Sequence, residues 1–244
     1  MTSEFNTVTI RERYSNFDGE NKVQMPLLLA DNRYPMSTTE VFEQRLQGRG
    51  IDRYVDTGDL VSYKGPKGDD QEVKFILTAT RNGLTEVGKR TLGLINEQSK
   101  YINGAVDLSK AKDVSGNRVN DAYDSITGSG VITVKRKDIG ILNDRIPVDK
   151  ILEQRGWRIL TRHPDEVPKD FAEDPEKAKE YVHKVVAPRY QNAMGIYPAD
   201  GEKVPTLGAW FVGGLVDGRW SVADGGDVLG GGGGRLVGVA PEAP

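Results

Sequence analysis

Apolar residues alternate with polar ones at Val8 and Ile10, which predicts a short strand over residues 5–11. Ser37 and Glu40 stand three apart just ahead of Val41, Phe42 and Leu46. That is a capping-box pattern, and it predicts a helix running to about Gln47. Strands are predicted over 58–63 and 72–79, separated by the turn-rich segment 64–70, and a helix over 85–97. Residues 107–129 are polar and interrupted by Gly116 and Gly128, so a long surface loop is expected there. Alternation returns at 131–136 as a strand. A short helix opened by Pro147 follows to Gln154, and then a strand over 157–161. Asp174 as cap, Pro175 at the first position, Glu176 early and Lys184 late give a well-marked helix over 174–186. Beyond Pro205 glycine dominates, and 235–239 reads as a closing strand. There is no internal repeat and no clean linker, so a single α+β domain over 1–244 is expected.

Composition narrows the partners. A chain of 244 residues, 37% hydrophobic, can bury a core without covalent staples, and it contains no cysteine. Disulfides, thiolate metal sites and cysteine nucleophiles are therefore excluded. A net charge of -3 and a pI near 5.6 do not suit a polyanion, so no nucleic-acid partner is expected. The polar start, Met1 to Asn6, lacks the basic and apolar regions of a signal peptide. No segment approaches the roughly 20 apolar residues that span a bilayer, so a soluble protein without membrane insertion is expected.

Candidate chemistry is sparse. The run Gly230 to Gly234 is followed by Arg235, Leu236 and Val237 rather than the Lys and Ser or Thr of a phosphate-binding loop. Asp217, Asp224 and Asp227 do not follow the alternation of a calcium loop, and read as solvated carboxylates. His163 precedes a proline and His183 lies in a charged helix; neither belongs to a catalytic arrangement. Glu173 and Asp174 sit at a helix start, where the dipole accounts for them. The expectation is a chain that is not an enzyme and carries no cofactor or metal.

One segment stands apart: Leu207, Gly208, Ala209 and Trp210, a second Trp at 220, and Gly234, Arg235 and Leu236 before the last strand. It resembles the variable region of proteins diversified by retroelements, built on a C-type lectin fold of the formylglycine-generating-enzyme type. In that family mutation acts on adenines, mostly in Asn codons of the AAY type, and cannot yield Lys, Glu, Gln, Met or Trp. The chain has 16 Lys, 15 Glu, 7 Gln and 4 Met, yet none falls within residues 211–234. Random placement does this about 1% of the time. A glycine-rich loop would also deplete long side chains.

The resemblance implies a C-type lectin-like domain with small twisted antiparallel sheets, flanking helices and long loops. Residues 1–205 would be scaffold and 206–240 the variable ligand-binding region, with Val8 and Ile10 in a strand near the closing strand. Trp210 and Trp220 would be buried framework. Phe211, Val212, Leu215, Asp217, Arg219, Ser221, Ala223, Asp224, Asp227 and Val228 would be largely exposed, close together, and in contact with a protein or cell-surface ligand. Without cysteine, formylglycine chemistry is excluded. Without a Glu-Pro-Asn or Gln-Pro-Asp triplet, a sugar held by calcium is not expected. Two other readings remain open: an enzyme or nucleotide binder using the glycine-rich loop, and a structural protein of a virus particle or other assembly.

Overall fold

The computed structural model describes residues 13–49, 51–215, 220–226, 229–230 and 233–241. Its architecture is organised by one ten-residue strand, β3 (Val55–Lys64), buried along its length except at Lys64. Preceding it are β1 (Tyr14–Gly19), helix α1 (Asn21–Ala30), β2 (Tyr34–Pro35) and helix α2 (Thr38–Leu46). After it come β4 (Glu72–Ile76), helix α3 (Glu86–Leu92), β5 (Ala105–Asp107) and β6 (Val131–Lys135). Helices α4 (Arg155–Leu160) and α5 (Pro175–Tyr181) lead to β7 (Ile196–Tyr197), β8 (Thr206–Val212), β9 (Ala223–Asp224) and β10 (Gly234–Val239).

The sheet order is β1-β10-β3-β8-β9-β7, with β4 also on β3 and β6 on β4. Strand alternation sends side chains to two cores. Val61, Tyr63, Phe75, Trp210 and Val237 enter one, together with Phe42, Trp157 and Tyr181 from the helices. Leu60, Ile76, Leu207, Ala209 and Leu236 enter the other, against Met25 and Leu28 of α1. Where β8 crosses β3, the register slips: Ala209 pairs Leu60 and Phe211 pairs Asp56. The extra residues of β3 bulge out, and Gly58 has no room for a side chain, since a Cβ would lie 2.5 Å from the Pro35 carbonyl oxygen.

Helix α2 starts as the sequence predicts: the Glu40 amide donates to Ser37 Oγ, and the Glu40 carboxylate accepts from the Ser37 amide at 2.8 Å. The strands around 58–63, 72–79 and 131–136 form, as do the closing strand and the Pro175 helix, which passes into a π turn at Val182–Val186. Three expectations need correction. Residues 157–161 are helical, in α4, because Gly156, Trp157 and Leu160 share one inward face while Ile159 is buried beside it. The Trp157 indole donates to the Met194 carbonyl at 2.5 Å, which fixes that face. Helix α3 stops at Gly93 rather than at 97. Segment 107–129 is not purely a surface loop: Leu108, Ala111, Ala122, Tyr123 and Ile126 are buried. Lys74 holds it inward, donating to the carbonyls of Tyr123 at 3.0 Å and Ile126 at 3.1 Å. Val8 and Ile10 lie outside the described residues, and the neighbour of the closing strand is β1, from Tyr14↔Val239 to Gly19↔Gly234.

Candidate functional site

The C-terminal segment is threaded through the sheet rather than laid upon it. Trp210 on β8 is fully buried and stacks on Phe75 with ring centroids 5.2 Å apart. Its carbonyl accepts from Thr57 Oγ1 at 2.6 Å. Gly225 closes over the same ring, and a Cβ there would stand 2.9 Å from the indole. Trp220 is only half-buried, which corrects the expectation of a second core tryptophan. It sits at φ +44°, with the Arg145 guanidinium 3.2 Å over its ring and its carbonyl accepting from the Met194 amide. Ser221 follows at φ +55°, so two consecutive non-glycine residues hold left-handed backbone.

Arg45 holds that turn. The residue is buried at the end of α2, on the face that also buries Val41 and Phe42. All five of its N–H donors are used. Nε donates to the Ile51 carbonyl at 2.8 Å, and Nη2 to the carbonyls of Arg53 at 2.9 Å and Gly213 at 3.0 Å. Nη1 donates to the Tyr181 hydroxyl at 3.0 Å and to Ser221 Oγ at 3.1 Å. Tyr181 is in turn stacked on Phe42 at 3.8 Å. Backbone bonds from Gly213 to Val222, Ser221 to Gly214 and Leu215 to Asp52 complete the neck of the loop. The described residues on both sides of 216–219 are therefore fixed.

The next stretch, residues 225–233, is fixed at separated points. Leu229 is buried among the α1 side chains, and its carbonyl accepts from the Lys22 amide at 3.2 Å. Gly230 donates to the Gly104 carbonyl and packs on the Tyr101 ring, and the Tyr54 hydroxyl donates to the Gly233 carbonyl. Asp56, fully buried, ends the stretch: its Oδ2 accepts from the Arg235 amide at 2.6 Å and from Asn21 Nδ2 at 3.1 Å.

Burial pushes the Asp56 carboxyl above the usual carboxylate range, and the two donated bonds only partly offset this. A folded-state pKa above the unfolded one means that the native state holds the proton longer. This stabilisation is fully present below the unfolded value and is lost as pH rises through the folded one. Asp56 Oδ1 and Asn21 Oδ1 are both buried without a donor among the described residues. An amide at 56 keeps the acceptor for Arg235, carries no charge, and offers the Asn21 side chain a donor. Asp56→Asn is therefore expected to be more stable than the parent at neutral pH, with the difference narrowing as pH falls through the raised folded-state value towards the unfolded one and constant below that. Urea melts of both proteins across that range check it; a variant less stable at pH 7 than at pH 4, relative to parent, contradicts the argument.

Of the ten residues expected to form an exposed face, five are interior. Phe211, Val212 and Leu215 are buried as β8 and its continuation, Ala223 pairs with Val212 across β9, and Ser221 is held by Arg45 and Tyr181. They are scaffold. The cause is the central position of β8, which is covered on both faces and so buries every one of its residues. Asp224 is half-buried, its Oδ1 accepting from the Gly226 amide at 2.9 Å. Asp217, Arg219, Asp227 and Val228 lie outside the described residues.

Sequence reasoning missed a set of half-buried aromatics at the points where the loops leave the scaffold. The Tyr190 hydroxyl donates to the Leu215 carbonyl at 2.6 Å, and Trp220 marks the return. Tyr197 pairs with Asp224, Tyr101 contacts Gly230, and Tyr54 contacts Gly233 and meets Phe211 edge-on. No periodicity links these residues, which come from separate parts of the chain. Among the described residues no group of three or more His, Cys, Asp and Glu is placed to hold a metal ion. His163 is 3.6 Å from Asp165 and His183 is exposed on the π turn.

A closing strand paired with the first described strand, a long central strand and loops emerging between β8 and β10 define the C-type lectin fold. A solved structure, described as the accommodation of massive sequence variation in Nanoarchaeota by the C-type lectin fold, matches it with a TM-score of 0.58. The two are 17% identical, and the match covers 94% of this chain and 99% of the other. The chain matches no family model and no curated protein. No helix among the described residues is long and apolar enough to cross a membrane.

Proposed function

We propose that this chain is a non-catalytic binding protein of the retroelement-diversified type, whose C-terminal loops recognise a protein or cell-surface ligand. The observation that carries the reading is the fixing of both loop ends by buried bonds, above all those of Arg45 to Gly213 and Ser221. A loop anchored this way can change sequence between its anchors without disturbing the core. The residue alphabet of 211–234 and the neighbour's sequence variation support the same reading. The contact positions are Asp217, Arg219, Asp224, Asp227 and Val228, together with the half-buried aromatics at the loop ends. Tyrosine and tryptophan are suited to this role, since they offer large contact area at low entropic cost.

Jointly replacing Asp217, Arg219, Asp224, Asp227 and Val228 is expected to leave the thermal melt almost unchanged, within about 0.5 kcal/mol per position. A display library randomised at these five positions is expected to yield binders to unrelated purified proteins. Variants that unfold, or a library without binders, would sink the proposal.

A further inference from the structure

At the start of α2, at the far end from Arg45, lies a polar cleft of about 310 Å³. It is bounded by β2, by residues 79–81, by Arg162, and by Glu173 and Lys177 at the start of α5. Arg13, Arg81, Arg162 and Lys177 bring positive charge, and Glu40, Glu43 and Glu173 bring negative charge. Two of these groups are set deep. Arg162, 3% exposed, donates to the Ala79 carbonyl at 2.7 Å and to Asp59 at 3.3 Å, while its Nε has no acceptor among the described residues. The Glu40 carboxylate accepts from Ser37 and Tyr34, and burial raises its proton affinity against the opposing charge of Arg162. Around the rim, Arg81 pairs with Glu173, and Lys177 pairs with Glu43.

Withdrawing charges from water is costly, and a fold that needs only stability does as well with apolar packing there. Here both signs of charge border an open cavity with the dimensions of a small ligand. They nearly balance, so a ligand with net charge gains little from the cleft as a whole. A molecule carrying a carboxylate and an ammonium a few ångströms apart meets a cation and a carboxylate at once. We propose that this cleft binds a small zwitterion of the α-amino-acid class, the carboxylate facing Arg81 and Arg162 and the ammonium facing Glu40 and Glu43. The site is separate from the C-terminal loops and does not depend on their role.

The test is calorimetric titration of the full chain with each of the twenty L-amino acids, with acetate and methylammonium as single-charge controls. At least one amino acid is expected to bind with millimolar or tighter affinity, and neither control to do so. Arg81→Gln and Glu43→Gln, both at the rim, are each expected to weaken that binding by about tenfold or more while leaving the ligand-free melt unchanged. Joint replacement of the five loop positions is expected to leave it intact. Failure of all twenty to bind, equal binding by acetate or methylammonium, or unchanged affinity in both rim variants would overturn the proposal.

Discussion

Trp210→Ala is expected to destabilise the protein by about 3–5 kcal/mol, the range for deleting a large buried aromatic. The ring is fully enclosed, stacked on Phe75 and covered by Gly225, so its removal leaves a cavity that the sheet cannot close without moving β3. One feature of the site moderates the loss: the indole Nε1 is buried without an acceptor among the described residues, and alanine removes that cost. Trp210→Phe isolates the two effects, keeping most of the stacking and discarding the unpartnered donor. It is expected to be much milder than alanine. Trp220→Ala is expected to cost less than Trp210→Ala, because that ring is half solvated and held mainly by Arg145. Chemical denaturation of the three variants gives the ranking, and equal losses at 210 and 220 would refute the distinction between core and rim.

Arg45→Ala is expected to cost about 3–5 kcal/mol as well, by a different route. No hydrophobic ledger explains it. Truncation leaves the carbonyls of Ile51, Arg53 and Gly213 and the hydroxyls of Tyr181 and Ser221 without their shared donor. The bonds to Tyr181, Ser221 and Gly213 are the buried ones, and acceptors left unpaired there cost about 1–3 kcal/mol each before relaxation. Arg45→Lys is expected to recover only part of the loss, since an ammonium is a point donor and cannot span the five directions of a planar fork. Amide hydrogen exchange supplies the decisive reading. The Gly213 and Ser221 amides, bonded to Val222 and Gly214, should lose protection beyond the global change, while those of β4 follow it. Uniform loss across the molecule would mean that Arg45 acts only as core packing.

The sequence was legible where local chemistry and tertiary packing agree. Ser37 and Glu40 announce α2, Asp174 and Pro175 announce α5, and the alternation at 131–136 announces β6. Trp157 and Ile159 misled because spacing by two is shared by a strand and by the broad inward side of a short helix. Helix α1 gave no signal, since Pro26 lies inside it and its apolar residues run together at Pro26–Leu29. At the candidate site, the Gly and Trp pattern singled out a segment but did not give the facing of its residues. Whether Phe211 and Val212 point to solvent depends on what covers β8, and its coverings, β3 and the loops from elsewhere, are distant in sequence. Arg45 could have been suspected: a cation four residues after Val41 and three after Phe42 falls on the inward face of its helix.

The position of β10 has a bearing on protein quality. It lies between β1 and β3, pairing with both, and it is made after the loops whose variation is proposed. A chain broken off anywhere in those loops lacks the strand that joins β1 and β2 to the sheet, and leaves Asp56 without the Arg235 amide. Completion of the fold thus reports that the whole preceding segment was translated in frame. Defective copies would be left with open sheet edges and would be cleared as unfolded chains, so on the proposed function the molecules available for binding would be those whose C-terminal loops are intact.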